Sequence, residues 1–173
     1  MSTRAASSPR KAASSPLNWT HLIIHHTATG PRETVATLRA NHVEKRGFSD
    51  IGYHYVIERD WLGRGHLKRG RPDTRDGGHA GRVCDTFDGR DWNAFALGLA
   101  VVGNFEPGYG KPERMSPWLY RAVLAAAAHL CKKYGIPPEH VKYHREIKAT
   151  ACPGAWFPMA RLRQDLARAL GKS

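Results

Sequence analysis

The segment KYHREIKATACPG, residues 142–154, contains the residue types of a metal site. His144 is followed eight positions later by Cys152, and imidazole nitrogen and thiolate sulfur are both good zinc ligands. A catalytic zinc takes three protein ligands and leaves a fourth position open, so one more ligand must come from elsewhere in the chain. Among the ten histidines, His25 is the best placed, because it lies near the end of the apolar run HLIIHH and precedes a Thr/Gly loop. Together these three residues predict one catalytic Zn²⁺ site.

Several of these signals also have a plainer interpretation. A His-His pair is as often ordinary packing or surface as it is a ligand pair, and side chains alternate along a strand, so only one of His25 and His26 can face a given site. Tyr53 lies in the strand-like stretch IGYHYVIERD, and from its residue type alone it is expected to pack in the core. His54 alternates with Tyr53, so it should face away and pack in the core or behind the site.

Short apolar segments mixed with helical ones predict an α/β domain with a central sheet. The predicted strands are residues 21–26, 51–60 with a hairpin partner at 62–67, 95–105 and 141–144. The predicted helices run from Thr34 to an end at Gly47, over 117–134 between a Ser116 cap and Gly135, and over 159–170. Residues 69–93 are polar and rich in glycine, and a loop of this length in a compact domain is usually functional or mobile.

The chain has 173 residues and a formal net charge of +12. Such an excess favours polyanions, whether nucleic acid or anionic envelope polymers, although a basic surface without a dedicated partner would have the same charge. Residues 1–17 carry three basic residues and no acid, which predicts a disordered tail that is either inert or a cationic arm. No apolar run is long enough to cross a bilayer, and the tail lacks the apolar stretch of a Sec signal. We therefore expect synthesis in the cytoplasm, with retention there unless another factor releases the protein.

The chain has three cysteines, too few for a disulfide framework. If Cys152 is a ligand, Cys84 and Cys131 remain. Cys131 lies on a predicted amphipathic helix, which favours a buried free thiol. The alternative is a bond between Cys84 and Cys131, which cytoplasmic proteins seldom carry.

Four stretches resemble the zinc-dependent N-acetylmuramoyl-L-alanine amidases of type 2, which include small phage lysins and the peptidoglycan recognition proteins. They occur in the family's order over about residues 20–157: LIIHHTAT (22–29), DIGYHYVIERD (50–60), GGHAG (77–81) with NAFALGLAVVGNF (93–105), and KYHREIKATACPG (142–154). The resemblance implies that residues 18–173 form a single α/β domain, the catalytic domain of such an amidase. Its central mixed β-sheet would be flanked by helices and would hold a zinc cleft at one edge of the sheet.

The resemblance also implies roles for individual residues. His25, His144 and Cys152 match the zinc ligands, whereas His26 matches a variable position that binds no metal. Tyr53 matches a residue close to the metal that amidase activity requires. Thr150 matches a position that is lysine in some phage enzymes and threonine in many active recognition proteins; its hydroxyl can donate one hydrogen bond to an oxyanion but brings no charge.

His79, in the long loop, matches a histidine near the cleft of family members. We expect it to contact substrate, with a surface-loop histidine as the alternative.

The implied reaction is hydrolysis of the amide between the lactyl group of N-acetylmuramic acid and L-alanine in peptidoglycan. The implied role is bacterial lysis by a phage or prophage endolysin, released to the cell wall through a holin or on lysis. The alternatives are a non-catalytic peptidoglycan-binding module, which Cys152 and Tyr53 disfavour, and a nucleic-acid or polymerase regulator, for which no specific binding motif is found. The expected partners are peptidoglycan and, through the basic tail and surface, anionic envelope polymers or lipopolysaccharide. We expect a monomer with no specific nucleic-acid partner.

Overall fold

Five strands form one mixed sheet in the computed structural model, which describes residues 17–85 and 88–171. The strands are β1 (His21–His26), β2 (Tyr55–Arg59), β3 (Gly65–Arg69), β4 (Ala96–Val101) and β5 (Val141–Tyr143). Their order is β3-β2-β4-β1-β5; the β2–β3 hairpin is antiparallel and the other pairs are parallel. The predicted single α/β domain with a mixed sheet is confirmed. All but one residue of the predicted tail lie outside the described residues.

Helices cover both faces of the sheet. They are α1 (Val35–Ala40), which continues as a π-helical turn (Asn41–Lys45), α2 (Trp92–Phe95), α3 (Pro117–Tyr134), α4 (His144–Ile147) and α5 (Met159–Ala169). The predicted caps of α3 are confirmed, since the Ser116 hydroxyl accepts from the Leu119 amide at 3.2 Å and Gly135 adopts φ +67°. None of the helices among the described residues is long and apolar enough to span a membrane.

The alternation of strand side chains separates two packing layers. In β1, Leu22 and Ile24 join the large core beneath α3 and α5, whereas Ile23 packs with Ala96 and Phe95 on the opposite face. His25 has the parity of Ile23, so it belongs to the face that the long loop covers. This loop follows β3 and brings His79 to the same layer.

The β2–β3 hairpin differs in extent from its prediction. Residues 51–54 are not in the ladder, because their backbone pairs mainly with the long loop. The Gly78 amide donates to the Gly52 carbonyl at 2.9 Å, and the Arg71 amide donates to the Tyr53 carbonyl at 2.8 Å. A Cβ on Gly52 would lie 2.8 Å from the Gly78 oxygen, so this contact requires glycine. The hairpin partner lies at Gly65–Arg69 rather than at 62–67, because residues 60–64 form the turn.

Asp73, in the long loop, ties β2 to the C-terminal end of α3. Its carboxylate accepts hydrogen bonds from Tyr134 and from Tyr55, the latter at 3.1 Å. It also pairs with Arg69 at 2.8 Å and with Lys133 at 3.2 Å. Burial alone would raise the pKa of the Asp73 carboxyl, but the hydrogen bonds, led by that from Tyr134, outweigh burial and hold the pKa below its usual value.

The first prediction concerns acid stability. Because the folded pKa of Asp73 is below the unfolded value of about 3.9, its stabilisation is complete above that value and is lost as the pH falls towards the folded pKa. Asp73→Asn should therefore lower the free energy of unfolding by about 2 kcal/mol near neutral pH, and by less in acid. Urea unfolding across the acid range measures both, with Asp76→Asn as an exposed control. A loss that stays constant with pH would contradict this account.

Candidate metal centre

Three side chains converge at the carboxyl ends of β1 and β5. His25 lies in β1, His144 directly follows β5, and Cys152 lies eight residues further on. One potential ligand atom from each residue lies within 4.8 Å of the other two. The parallel register pairs Ile24 with Tyr143, so the residue after each, His25 and His144, stands at the same level. The fold therefore brings together the predicted ligand set; its binding of zinc stays a prediction.

Cys152 is held in place by the backbone of its own loop. The Arg145 amide donates to the Cys152 carbonyl at 3.0 Å, and the Thr150 hydroxyl accepts from the Cys152 amide at 3.3 Å. The Cys152–Pro153 peptide bond is cis. Gly154 then packs against the backbone of Phe105, where a Cβ would overlap the Phe105 carbonyl group, so the Cys-Pro-Gly segment passes closer to the sheet than a side chain would allow. The Cys152 sulfur lies 3.6 Å from His25 Nδ1.

A chain of hydrogen bonds fixes which nitrogen of His25 is free. His79 Nε2 lies 3.0 Å from the Ala96 carbonyl, which can only accept, so this nitrogen carries the proton. His79 Nδ1 is then an acceptor, and at 3.0 Å it accepts from His25 Nε2. The remaining nitrogen, His25 Nδ1, keeps its lone pair and faces Cys152.

His144 follows the same logic. Its Nε2 lies 3.3 Å from the Ala80 carbonyl, so this nitrogen donates and Nδ1 holds the lone pair. Two Nδ1 atoms and one sulfur thus form the donor set, and each histidine has its other nitrogen tied to an acceptor. Zinc sites orient their histidines in this way, through a hydrogen bond from the nitrogen that does not bind the metal. Three protein ligands would leave the fourth coordination position of a zinc ion open. The residues present therefore fit a zinc ion.

The electrostatics of the centre favour neutral imidazoles. Burial lowers the pKa of His25 well below its usual value, and the neighbouring His79 and His144 lower it further. The pKa of His144 is lowered by burial as well. Neutral imidazole is the form that binds a metal. In the metal-free protein, burial raises the pKa of the Cys152 thiol to about 12.

The structure corrects the role expected for His79. Its side chain is 6% exposed, lies behind His25 rather than in the cleft, and uses both nitrogens within the protein. Its ring occupies a slot with glycine on two sides: a Cβ on Gly77 would lie 2.6 Å from the ring, and a Cβ on Gly98 would lie 2.5 Å from it. His79 is therefore placed to position a ligand, and neither substrate contact nor a surface-loop position suits it.

His26 and His54 do not belong to the ligand cluster, although His26 lines the cleft. His26 accepts from the Phe105 amide at 3.2 Å, so only one of the His-His pair faces the metal cluster. His54 is fully buried; its Nδ1 accepts from the Gly98 amide at 3.0 Å and its ring meets His79 edge-on at 5.6 Å. The prediction that His54 packs behind the site is confirmed. Cys84 and Cys131 are both free, and Cys131 is buried as expected.

An open cleft of about 370 Å³ lies over the cluster. Tyr53 and Thr150 line it together with His144 and Cys152. The Tyr53 ring lies 5.2 Å from the His25 ring, and burial, followed by the nearby Cys152, raises its pKa above the usual value for a phenol. Tyr53 is therefore a protonated donor at neutral pH. The structure thus brings both predicted catalytic residues to the mouth of the cluster.

Sequence reasoning missed three residues that line the same cleft, Arg46, Glu106 and Tyr109. Arg46 is exposed at the end of the π-helical turn. Glu106 accepts from the Ala155 amide at 2.7 Å and so connects the loop after β4 to the Cys152 loop. Tyr109 is 63% exposed. Arg46 and Tyr109 lie outside the quoted motifs and Glu106 follows one directly, so only the sequence GNFEPGYG, a polar Gly-rich turn after a strand, could have indicated two of them.

The chain is similar to known proteins over most of its length. A family model described as N-acetylmuramoyl-L-alanine amidase matches residues 15–155, and the chain belongs to this family, as the sequence resemblance predicted. Peptidoglycan recognition protein 1 of Bos taurus is 28% identical over 141 residues, which cover 78% of this chain and 66% of that protein. The N-acetylmuramoyl-L-alanine amidase of Sus scrofa is 29% identical over 152 residues, 81% of this chain but 22% of that protein.

A solved structure shows the same fold. It is that of N-acetylmuramoyl-L-alanine amidase LysC from Clostridium intestinale URNW, with a TM-score of 0.69 and 28% sequence identity. The match covers 92% of this chain and 94% of that one.

The second prediction tests the hydrogen-bond chain. His79→Ala should weaken zinc binding about 10- to 100-fold, because His25 loses the acceptor that holds its ring and tautomer. Competition with a chromophoric chelator measures the affinity, and circular dichroism of the zinc-free protein checks that the fold is kept. His66→Ala, at an exposed histidine of β3, is the control. Equal zinc affinity in the His79 variant and the wild type would contradict the positioning role.

Proposed function

We propose that the protein is a zinc-dependent N-acetylmuramoyl-L-alanine amidase that cleaves the amide between the lactyl group of N-acetylmuramic acid and L-alanine of peptidoglycan. One observation carries the proposal: His25, His144 and Cys152 offer ligand atoms within 4.8 Å of one another beside an open cleft, and Nδ1 is the nitrogen left free in each imidazole. A closed structural zinc site would use a fourth protein ligand instead. Family membership supplies the substrate class.

The protein's own residues suggest how the reaction proceeds. A zinc ion, when bound, supplies an acidified water and polarises the scissile carbonyl. Tyr53 holds a phenolic proton beside the cluster and can orient the attacking water or hydrogen-bond the substrate carbonyl. Thr150 already accepts from the Cys152 amide, so its hydroxyl proton is available for the developing oxyanion. His79 and Ala80 hold the two imidazoles in one orientation, so the site needs little reorganisation.

The biological role we propose is that of an endolysin acting on the cell wall. The support is likeness to a solved endolysin, LysCS from Clostridium intestinale URNW, at 28% identity and a TM-score of 0.69. The surplus of positive charge would draw the protein to anionic envelope polymers or lipopolysaccharide. The second candidate is a recognition protein that binds peptidoglycan without cleaving it, because several relatives carry that name.

The experiment that separates these functions is digestion of purified sacculi, with products identified by mass spectrometry. The wild type should release free stem peptides that begin at L-alanine, lose this activity with a chelator and regain it with zinc. Cys152→Ser should reduce both zinc content and peptide release to background, because a hydroxyl replaces the thiolate ligand. Cys84→Ser, at an exposed free thiol, is the matched control. Tight binding to sacculi without peptide release at any zinc concentration would establish the recognition protein instead.

A further prediction isolates Tyr53. Tyr53→Phe should lower kcat about 10²- to 10³-fold and leave zinc content unchanged, because the phenol acts on the reacting groups and not on the metal. Tyr120→Phe removes a hydroxyl that bonds Asp165 on α5 and serves as the control. Loss of zinc from the Tyr53 variant would assign this residue to the metal site's structure and contradict a catalytic role.

A further inference from the structure

The tip of the β2–β3 hairpin carries a second cavity with an exposed indole. The cavity measures about 520 Å³ and is lined by Trp61, Leu62 and neighbouring turn residues, by Arg59 of β2, and by Pro31 and Arg32 of the loop after β1. Trp61 is 88% exposed and Leu62 is 51% exposed. A tryptophan this exposed contributes little to the stability of the fold. Trp61 and Leu62 together present adjacent exposed apolar side chains beside a cavity, an arrangement that favours contact with a partner outside the chain.

This cavity lies at the same end of the sheet as the metal centre. β1, β4 and β2 are parallel, and Val101 pairs both with His26 of β1 and with Ile57 of β2. Arg59 therefore stands two strand spacings, about 10 Å, to the side of β1 and about 7 Å further outward than His26. The step from His26 to Arg59 is comparable to the length of one disaccharide of a glycan chain.

Two loops connect the metal cleft to this cavity. In the loop after β1, Thr27 and Ala28 line the cleft, whereas Pro31 and Arg32 line the cavity. In the loop after β4, Tyr109 lines the cleft.

The second loop also reaches Arg59, because Glu113 pairs with its guanidinium at 2.5 Å. A polymer seated over the metal would therefore run along these loops and meet Trp61.

The polar group that the cavity offers to a ligand is a hydrogen-bond donor, which suits hydroxyl and acetamido oxygens. Arg59 lines the cavity, but its Nε is buried and its guanidinium is held by Glu113, so it offers a ligand little beyond packing. Arg32 is exposed and pairs with no acid in the described part of the chain.

Asp60 offers no competing acceptor to a ligand. Its carboxylate is engaged with the turn amides of Leu62 and Arg64 and with the Arg64 side chain. The turn is therefore held in shape, and the donors of Arg32 remain free beside the Trp61 ring.

We propose that the Trp61 cavity is a second subsite, which binds the glycan strand of peptidoglycan one disaccharide away from the scissile amide. The apolar C–H face of a pyranose ring would stack on the indole, and the exposed Arg32 guanidinium would donate to hydroxyl and N-acetyl oxygens. The subsite rests on the proposed function for the identity of the polymer. It would let this single domain retain polymeric substrate while the cleft acts on each stem.

The binding test uses peptide-free glycan strands and the full-length chain, followed by titration calorimetry. The wild type should bind the strands, and Trp61→Ala should weaken binding about tenfold, a difference of about 1.4 kcal/mol. Arg32→Ala should weaken it severalfold. Trp118→Ala, at a tryptophan that is 61% exposed on α3, should bind like the wild type. Peptide-free strands contain no scissile amide, so the binding measurement can also be made with Cys152→Ser. It therefore reports the affinity of the subsite even if the protein does not hydrolyse peptidoglycan.

The second test is a kinetic split. On intact sacculi, Trp61→Ala should raise KM about tenfold with little change in kcat, whereas on a single muramoyl-peptide, too short to reach Trp61, kcat/KM should match the wild type. A wild type that hydrolyses neither substrate overturns the amidase but leaves the binding result standing. Glycan binding that Trp61→Ala does not weaken would overturn the subsite. Vesicles of anionic phospholipid that bind in a Trp61-dependent way, without glycan binding, would overturn it in favour of a membrane contact.

Discussion

The hydrogen bond from His25 Nε2 to His79 Nδ1 is the constraint on which the metal centre depends. A neutral imidazole presents a lone pair at one nitrogen only when its proton is held at the other. Here the Ala96 carbonyl holds the His79 proton at Nε2, and His79 Nδ1 in turn holds the His25 proton at Nε2. The arrangement requires a buried ring between β1 and β4. Gly98 of β4 and Gly77 of the long loop provide the space for that ring. The hydrogen bond between His25 and His79 therefore depends on three features: the two glycines, the parallel pairing of β1 with β4, and the covering loop.

Burial serves the same purpose electrostatically. The three imidazoles of His25, His79 and His144 lie together, and charging any one of them would place a cation in poorly solvated space beside the others. Their pKa values are accordingly lowered, to about 3 for His79, and they stay neutral at the pH of a living cell. The formal net charge of +12 comes from lysine and arginine side chains and includes no contribution from the histidines that form the centre. Long-range attraction to polyanions and local affinity for a metal can thus coexist without interfering.

The sequence predicted the elements whose signals are local. β1 and α3 follow from an apolar run and from a Ser-Pro start with a glycine end, and His25, His144 and Cys152 follow from ligand chemistry at the ends of strands. The role of His79 could not be found this way, because it depends on a loop crossing the sheet opposite Gly98.

The same reason explains the truncated strand at residues 51–54. That stretch has the composition of a strand, but its backbone groups pair mostly with a loop more than 15 residues away in sequence. Hydrophobic periodicity predicts which residues are buried and does not predict which segment buries them.

In the parallel part of the sheet, the stabilising contacts and the residues of the site lie at opposite ends of the strands. At the amino ends of β1 and β2, Trp19 donates to the Asp73 carbonyl at 3.0 Å, and Tyr55 joins the carboxylate network that fixes α3. At the carboxyl ends of the same strands, the loops form the metal cleft and the Trp61 cavity. The loops that follow parallel strands all lie at the carboxyl end of the sheet, so residues from β1, β2, β4 and β5 can meet there. The amino end of the sheet carries the hydrogen bonds that hold α3 in place. The antiparallel β2–β3 hairpin extends this arrangement. Its turn projects beyond the carboxyl end of the parallel strands and places Trp61 where a bound polymer would pass.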